Sequence, residues 1–325
     1  MSMRNTLTKL SVVIPCYRSE STISAVIDSI RAIFAQISIS DYEIICVSDA
    51  SPDNVYSVIS NMSASDSRII GIELARNFGQ HGALMAGYTH ASGDIIISMD
   101  DDGQTAADGI PLLINKLLAD DLDVVFARYP QIRQSWFRRI GTKVNGWMME
   151  SLLRKPKGLA STSFFACRKW LLQEIVKTQS PYPYVHGYIF RCTNRMANVD
   201  ISHHERLQGE SGYSFSGLLR LWLNGFTSFS VKPLRVATFL GGIIAVLGFI
   251  LVLAIIIQKL LDPETQMGWS SIMAAILFIG GVLMIMLGLI GEYLGRVFIT
   301  INGSPQYIIR SDTRDNTSYG VGSNT

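Results

Sequence analysis

Short apolar runs alternate with amphipathic segments along the first 128 residues of the chain. The apolar runs predict strands at residues 10–14, 42–47, 69–74, 93–99 and 122–127. Between the first two runs, residues 20–34 carry apolar side chains at helical spacing. Strands that alternate with helices indicate an α/β domain with a mostly parallel, doubly wound sheet. Ligands bind such sheets beyond the carboxyl ends of the strands, so the polar residues that follow each strand are the candidates for chemistry.

The pattern changes after residue 235. Residues 236–257 and 269–290 contain no charged side chain. As a helix, each run is roughly 33 Å long, enough to cross a hydrocarbon core of about 30 Å. Two buried helices of a soluble core are the alternative. Helices that are apolar on all sides over this length are typical of membranes, so we expect a hairpin of two transmembrane helices.

The charges that flank the two runs predict the orientation of this hairpin. Basic residues precede the first run and follow the second: Lys232, Arg235, Arg296, Arg310 and Arg314. The connection between the runs carries only Lys259, which Asp262 and Glu264 balance. Excess positive charge marks the cytoplasmic side. The first residues contain no apolar stretch that resembles a signal peptide, so we expect the α/β domain and both termini in the cytoplasm.

These patterns divide the chain into four parts. We expect a catalytic domain at 1–215, a juxtamembrane amphipathic segment at 216–234, the hairpin at 235–292, and a cytoplasmic tail at 293–325. The amphipathic segment is expected in the membrane interface, with packing against the catalytic domain as the alternative. The tail from Ser311 onward is rich in Gly, Ser and Asn and is predicted to be partly disordered.

Composition adds three limits. Of the 325 residues, 48% are hydrophobic and 17% are charged, and the low charge reflects the hairpin. The formal net charge of +2 gives no indication of nucleic-acid binding. The four cysteines, Cys16, Cys46, Cys167 and Cys192, show no metal-binding spacing, so we expect free, buried thiols in a reducing compartment.

An acidic turn, Asp100-Asp-Asp102, directly follows the fourth predicted strand. Consecutive carboxylates repel each other unless a cation offsets their charge. Asp100 and Asp102 can face one ion, and Gln104 can add a neutral oxygen. Oxygen ligands of this kind favour Mg²⁺ or Mn²⁺. A solvated acidic turn is the alternative.

Other polar residues follow the remaining strands. Asp49, after the second strand, can accept a hydrogen bond from a nucleotide base, or can form an Asx-turn or a helix cap. Arg76 and Arg128 can bind phosphate groups. His81 is left without a role. The chain has neither a G-x-G-x-x-G motif nor a Walker loop, so a nucleotide must be bound in another way.

A further polar cluster lies at residues 203–214, upstream of the amphipathic segment. Arg206 and Ser211, with backbone N–H groups near Gly209, would bind a phosphate at the level of the membrane. The adjacent His203 and His204 also suggest a metal site, but no third ligand is evident.

Together these motifs resemble the family 2 glycosyltransferases with the GT-A fold, in the branch that acts on polyprenyl phosphates. That branch includes dolichol-phosphate mannose synthase and the bactoprenol-phosphate glucosyltransferases. The resemblance covers residues 10–305. It rests on the motifs at residues 12–17 (VVIPCY), 47–49 (VSD), 75–79 (ARNFG), 100–104 (DDDGQ), 127–128 (AR), 204–213 (HERLQGESGY) and 291–296 (GEYLGR).

The resemblance implies an inverting transfer of a sugar from a nucleotide-sugar, with UDP favoured, to undecaprenyl phosphate. The lipid-linked monosaccharide would serve cell-surface glycan modification. It further implies a multi-pass protein of the plasma membrane, a homo-oligomeric state, and Mg²⁺ or Mn²⁺ as cofactor.

The resemblance also assigns roles to residues. Asp100, Asp102 and Gln104 are expected to hold the metal, and Asp100, Asp102 and Arg206 to be catalytic. The residues expected at the nucleotide-sugar are Pro15, Tyr17, Asp49, Arg76, Asp101 and Arg128. Those expected at the acceptor phosphate are Arg128, Arg206 and Ser211.

The chain departs from the family pattern at three positions. Ser48 stands where relatives commonly carry Asp, Ser163 where they often carry an acidic residue, and Gly212 where they carry Lys. The second departure leaves the general base unassigned. The second pKa of a phosphate monoester is about 6, so the acceptor is already ionised near neutral pH and a strong base is unnecessary.

Three other functions are alternatives to this one. A processive polysaccharide synthase would carry a Gln-x-x-Arg-Trp motif and more spans. A non-catalytic membrane scaffold that binds nucleotide-sugars is compatible with the three departures. A pore built from the two spans is disfavoured, because neither span contains an ionisable residue.

Overall fold

The computed structural model describes residues 9–103, 107–129, 146, 149–151, 155–201, 232–261 and 268–315. The chain divides into two compact units, which are treated separately below. The first, the sheet unit, comprises Met1–Gly212 and Ser304–Thr325. The second, the hairpin unit, comprises Tyr213–Gly303.

The described part of the sheet unit forms one sheet of eight strands, in the order β7-β5-β6-β4-β1-β2-β3-β8. The strands are β1 (Leu10–Cys16), β2 (Tyr42–Ser48), β3 (Ile69–Leu74), β4 (Ile95–Ser98), β5 (Val124–Arg128), β6 (Phe165–Arg168), β7 (Met196–Asp200) and β8 (Ile309–Asp312). Its helices are α1 (Ile23–Gln36), α2 (Val55–Ser65), α3 (Gln80–His90), α4 (Gly109–Ala119), α5 (Lys169–Val176) and α6 (Val185–Cys192).

The centre of the sheet is parallel and its two sides are mixed. Strand β1 pairs in parallel with β2 and β4, and β2 with β3. Strand β6 runs antiparallel between β4 and β5, and β7 returns parallel to β5. The five predicted strands are confirmed, with small differences in their ends, and the mostly parallel α/β fold is confirmed with them. Strands β6, β7 and β8 were not predicted.

Burial on both faces explains why the central strands are mostly apolar, with Ser11, Glu43 and Ser48 as buried polar exceptions. Every residue of β1 and β2 is buried. A strand covered by helices on both faces cannot alternate polar and apolar side chains without burying polar groups. The buried face of α1 consists of the residues that helical spacing predicted: Ile23, Val26, Ile27, Ile30 and Phe34.

Close packing of α3 on the sheet depends on a glycine. A Cβ atom at Gly87 would lie 2.3 Å from Cγ1 of Val13 in β1. Only a residue without a side chain permits this approach of helix to strand. The contact fixes α3 across the sheet, and the helix begins at Gln80, close to the carboxyl ends of the central strands.

The tail after the hairpin adds the last strand. Strand β8 pairs antiparallel with β3. The pairing is extended by Ala75 N–H, which donates to the Ile308 carbonyl at 2.8 Å, and by Gly71 N–H, which donates to Thr313 Oγ1 at 2.9 Å. The prediction that disorder begins at Ser311 is therefore wrong for the described residues up to Asp315. An edge strand offers unpaired backbone groups to any partner strand, so this pairing needs no apolar pattern.

The cysteines are free, as predicted, but only three of them are buried. Cys16, Cys46 and Cys167 lie in the core, whereas Cys192 at the end of α6 is exposed. The expectation of four buried thiols is wrong at Cys192, because α6 turns its last residue to the surface.

The hairpin unit contains two long helices, α7 (Lys232–Leu261) and α8 (Trp269–Ile301). Among the described residues, Phe278–Ile301 is long and apolar enough to cross a membrane, and no residue of its most apolar window is buried. A shorter apolar helical stretch, Gly241–Ile250, lies in α7. Helix α8 continues to Ile301, past residue 292, and the boundary between hairpin and tail stays a prediction.

Candidate active site

The carboxyl ends of four parallel strands meet at one edge of the sheet. Pairing aligns Cys16 at the end of β1 with Ser48 at the end of β2, and Ser48 with Glu73 near the end of β3. Beyond the β1–β4 pairing, Met99 N–H donates to the Val13 carbonyl at 3.1 Å. The loops that follow these strands contain most of the predicted site residues, so the sheet brings them to one edge.

Asp100 lies at the centre of this edge. Gln80 Nε2 donates to its Oδ1 at 2.9 Å, and Ser163 Oγ donates to its Oδ2. Burial raises the pKa of Asp100 to about 6, and the charges of Asp102 and Asp101 act in the same direction. The two hydrogen bonds oppose this rise. A carboxylate with a raised pKa among like charges is in the electrostatic situation that a bound cation relieves.

Asp101 connects the acidic turn to the loop after β1. Its Oδ2 accepts the backbone N–H of Tyr17 at 2.9 Å, and its carbonyl accepts Thr22 Oγ1 at 2.7 Å. Burial raises the pKa of the Asp101 carboxyl. The structure thus gives Asp101 a contact with the protein backbone, and its predicted contact with the nucleotide-sugar stays a prediction.

The proposed metal ligands are only partly described. Asp102 follows Asp101 on the turn and is half-buried. Gln104 lies outside the described residues. Within the described ranges, no group of three or more His, Cys, Asp or Glu side chains converges as a metal site would require. The hard carboxylate oxygens of Asp100 and Asp102 nevertheless fit a cation that completes its shell with diphosphate oxygens and water.

The carboxylate of Asp49 holds the loop that leads into α3. Its Oδ1 accepts Phe78 N–H and its Oδ2 accepts Gly79 N–H, both at 2.7 Å. The side chain is buried, and this burial raises the pKa of the carboxyl. These bonds join loops 29 and 30 positions apart in sequence, so the contact differs from the Asx-turn or helix cap set out above, and the N-cap residue of α3, Gly79, has no side-chain cap hydrogen bond. A contact with a nucleotide base would use the remaining lone pairs and stays a prediction.

Three further residues predicted at the nucleotide-sugar lie at this edge. Pro15 is buried near the end of β1, where it pairs with Val47. Tyr17 follows β1 with 45% of its surface exposed, which leaves its ring available for stacking. Arg76 is exposed after β3, with its guanidinium 4.7 Å from the ring centroid of Phe78.

Arg128, at the end of β5, forms an ion pair with a residue of the neighbouring strand β7. It pairs with Asp200 across the parallel β5–β7 ladder. Arg128 Nε donates to Asp200 Oδ1 at 2.5 Å and Nη2 to Oδ2 at 2.9 Å. This bidentate pair raises the pKa of Arg128 and lowers that of Asp200. The pair uses two of the five guanidinium N–H donors, so both N–H groups of Nη1 and one of Nη2 are not engaged by Asp200. Arg206 and Ser211 lie outside the described residues.

The ring of His81 packs against other aromatic rings. Its ring lies 5.0 Å from that of Tyr184 and 6.0 Å from that of His186. Burial lowers the pKa of His81 to about 3, so the ring is neutral near pH 7. The sequence assigns no role to His81, and the structure places it in an aromatic cluster with Tyr184 and His186.

Two contacts of Asp100 could not be predicted from the sequence. Gln80 directly follows the ARNFG motif, and Ser163 stands at the position where an acidic residue was expected. The absence of the acid was visible in the sequence. The hydrogen bond from Ser163 to Asp100 was not, because the two residues are 63 positions apart.

Comparison with known proteins agrees with this architecture. The sequence profile described as Glycosyl transferase family 2 matches residues 11–178. That match covers more than half of the chain. The chain belongs to glycosyl transferase family 2. A second profile, the GtrB C-terminal hairpin, matches residues 232–297 of this glycosyltransferase, which contain most of α7 and α8.

Named relatives resemble the glycosyltransferase over nearly its whole length. One is the undecaprenyl-phosphate 4-deoxy-4-formamido-L-arabinose transferase of Serratia proteamaculans, 30% identical over 313 residues and covering 95% of each chain. The protein of the same name from Proteus mirabilis is 29% identical over the same share.

A solved structure supports the fold alone. It is glucosyl-3-phosphoglycerate synthase from Mycobacterium tuberculosis in complex with Mn²⁺, uridine-diphosphate-glucose and phosphoglyceric acid. The TM-score is 0.51 at 19% identity, over 68% of this chain and 79% of that chain. The sheet unit of the glycosyltransferase has the GT-A fold.

Proposed function

We propose that this glycosyltransferase moves a sugar from a nucleotide-sugar, with UDP favoured, to undecaprenyl phosphate or a similar polyprenyl phosphate. The observation that carries the proposal is the acidic turn after β4, where the half-buried Asp100 lies beside Asp101 and Asp102 and accepts hydrogen bonds from the neutral side chains of Gln80 and Ser163. The hairpin family and the undecaprenyl-phosphate transferases among the relatives support a lipid acceptor.

The donor would bind along the carboxyl edge of β1 to β4. Tyr17 offers an exposed ring for a base, and the unburied guanidinium of Arg76 offers charge for a diphosphate. Pro15, Asp49 and Asp101 would shape this site, the last two mainly by fixing the loops around it.

Asp100 and Asp102 would hold Mg²⁺ or Mn²⁺, with Gln104 as a further candidate. Such ions are commonly bound by one or two carboxylates together with substrate phosphates, which agrees with the small number of protein ligands here. When bound, the ion supplies positive charge that stabilises the leaving diphosphate.

The acceptor phosphate would act as its own nucleophile. Its oxygen forms a bond to the anomeric carbon of the sugar while the bond from that carbon to the nucleoside diphosphate breaks, and a single displacement inverts the configuration. The second pKa of the phosphate is about 6, so no strong base has to occupy the position of Ser163. The task of the protein is to hold two anions together, for which we propose Arg128, Arg206 and Ser211.

The hairpin would anchor the enzyme in the membrane that contains its acceptor. We propose a multi-pass protein of the plasma membrane with the sheet unit and both termini in the cytoplasm. The exposed apolar surface of Phe278–Ile301 and the basic residues that flank the two apolar runs support this orientation.

A donor panel tests the proposal. The full chain in detergent is incubated with undecaprenyl phosphate, Mn²⁺ and UDP- or GDP-linked sugars, and both nucleoside diphosphate release and the lipid product are measured. We expect one donor to give a lipid-linked monosaccharide, with release that depends on the lipid. Release without lipid, or no product from any donor, would contradict the assigned acceptor or the reaction.

A further inference from the structure

Asp100 is held from two sides by neutral donors. Gln80 Nε2, at the start of α3, donates to Oδ1, and Ser163 Oγ, in the segment before β6, donates to Oδ2. Each carboxylate oxygen keeps a further lone pair for another partner. The two contacts restrict the rotation of the carboxylate without neutralising its charge.

The segment that carries Ser163 is itself tightly held. The Asn198 side chain in β7 binds both backbone groups of Ala160, accepting its N–H and donating to its carbonyl, each at 2.8 Å. Thr162 Oγ1 lies 2.9 Å from the Ala127 carbonyl and 3.0 Å from the Phe164 carbonyl. Contacts on both sides of Ser163 therefore fix its backbone.

His186 also contacts the segment that carries Ser163. Its Nε2 lies 3.0 Å from the Thr162 carbonyl. A carbonyl oxygen only accepts, so Nε2 carries the proton in this contact. The imidazole ring stacks on Phe126, with centroids 5.8 Å apart, and meets Phe165 edge-on at 5.9 Å. These aromatic rings hold the orientation of the imidazole.

We propose that Ser163 is a positioning residue for Asp100, and that His186 holds Ser163 in place through the Thr162 carbonyl. The inference rests on the proposed role of Asp100 as a cation ligand. A hydroxyl at position 163 keeps a contact with Asp100 while it avoids a fourth negative charge beside the three of the acidic turn. Residues that orient ligands without touching the ion typically change metal affinity by about 10–100-fold when they are removed.

Mn²⁺ affinity tests the role of Ser163 without relying on turnover. Free Mn²⁺ is titrated by electron paramagnetic resonance against the full chain in detergent at a fixed UDP concentration, with a protein-free UDP blank. For Ser163→Ala we expect about tenfold weaker Mn²⁺ binding. Ser163→Thr, which keeps the hydroxyl, should bind more tightly than Ser163→Val, which has the same shape without it. This isosteric pair carries the test if the alanine variant does not fold.

His186 is tested in the same titration. His186→Leu removes the donor to Thr162 and should weaken Mn²⁺ binding in the same direction, whereas His186→Gln, which keeps an N–H donor, should fall between it and the wild type. Ser65→Ala is the control, because its hydroxyl donates to the Met62 carbonyl on the surface of α2. It should behave as the wild type does.

The outcomes separate this inference from the proposed function. If the wild type binds Mn²⁺ with UDP, and Ser163→Ala and Ser163→Val bind it equally well, the positioning role of Ser163 is wrong. If Ser163→Ala weakens binding and His186→Leu does not, the role of His186 is wrong. If the wild type shows no Mn²⁺ binding beyond the blank, the cation site of the proposed function is wrong, and the inference falls with it.

Discussion

Tyr17 donates its backbone N–H to the carboxylate of Asp101 at 2.9 Å, and this bond joins the loop after β1 to the acidic turn after β4. The two loops lie 84 positions apart in sequence. The ring of Tyr17 is proposed for the nucleotide base and the neighbours of Asp101 for the cation. The bond therefore fixes the distance between the two ends of the donor site.

The cation site predicts the effect of Asp102→Asn. An amide has the shape of the carboxylate but not its charge, so we expect transfer to the lipid to be abolished while the protein remains folded. Product formation is measured in Mn²⁺-containing buffer. Asp28→Asn, an exposed carboxylate on α1, is the control and should be fully active. Wild-type transfer by Asp102→Asn would show that Asp102 is not a required ligand.

The two hydrogen bonds that Asp49 accepts from the loop before α3 predict a loss of stability in Asp49→Asn. Both carboxylate oxygens accept backbone N–H groups, and an amide would turn its NH₂ group towards one of them. We expect the free energy of unfolding to fall by about 1–3 kcal/mol. Denaturant unfolding measures the change. Asp120→Asn, at an exposed pair with Lys116, should leave the stability nearly unchanged. An equal loss of stability in the two variants would show that the hydrogen bonds of Asp49 do not stabilise the fold.

The exposed ion pair between Arg128 and Asp200 predicts that Arg128→Ala changes substrate binding more than it changes stability. Because the pair is exposed, Arg128→Ala should change the melting temperature little. If Nη1 binds a substrate phosphate, KM for donor or acceptor should rise about tenfold or more. Arg195→Ala, which breaks a similar exposed pair with Asp121, is the control. Equal KM values in the two variants would remove Arg128 from the site.

Strand β8 predicts that the tail stabilises the sheet. A chain ending at Gly303 loses β8 and exposes the edge of β3, so we expect a lower melting temperature and a stronger tendency to aggregate. A chain ending at Asp315 keeps every described contact of the tail and serves as the control. Thermal unfolding and light scattering in detergent compare the two. Identical behaviour would mean that the β3–β8 pairing contributes no stability.

The hydrogen bonds of Glu43 predict how the stability of the protein changes at acid pH. Burial by itself would raise its pKa, but hydrogen bonds from Ser11, Ser92 and Lys9 outweigh this effect and lower the pKa below 4.5. A carboxyl with a lowered folded-state pKa contributes stability above its unfolded value and loses it as the pH falls through the folded value.

We therefore expect Glu43→Gln to be less stable than the wild type at neutral pH, and the difference to shrink below about pH 4.5. Denaturant unfolding across this range measures it. Glu174→Gln, at an exposed pair with Lys177, should show no such trend. A difference that stays constant with pH would contradict the assignment.

Much of the sheet unit could be predicted from local patterns. The bounds of β3 agree with the apolar run at 69–74, and β1 and β2 extend only slightly past theirs. The buried face of α1 was predicted from its spacing alone. The rule that ligands meet the carboxyl edge of a parallel sheet then placed Asp49 and Asp100 at the same edge, where the structure has them.

Other features had no local signal. Strand β6 inserts antiparallel between β4 and β5, and β8 joins β3 after the whole hairpin has intervened. Both pairings use backbone N–H and C=O groups, which every residue type except proline supplies. The sequence of a short strand therefore does not identify the strand with which it pairs. For this reason the polar tail that contains β8 is predicted from sequence to be disordered.

Local patterns in the sequence are enough to predict the order of strands and helices, the acidic turn, and two apolar runs long enough to cross a membrane. Periodicity and composition are properties of neighbouring residues, and they can be read without a fold. Which side chains form hydrogen bonds with the acidic turn depends on the tertiary structure. The bonds from Ser163 to Asp100 and from Arg128 to Asp200 join residues 63 and 72 positions apart. Such contacts exist because the sheet brings distant loops together, and no pattern along the chain encodes them.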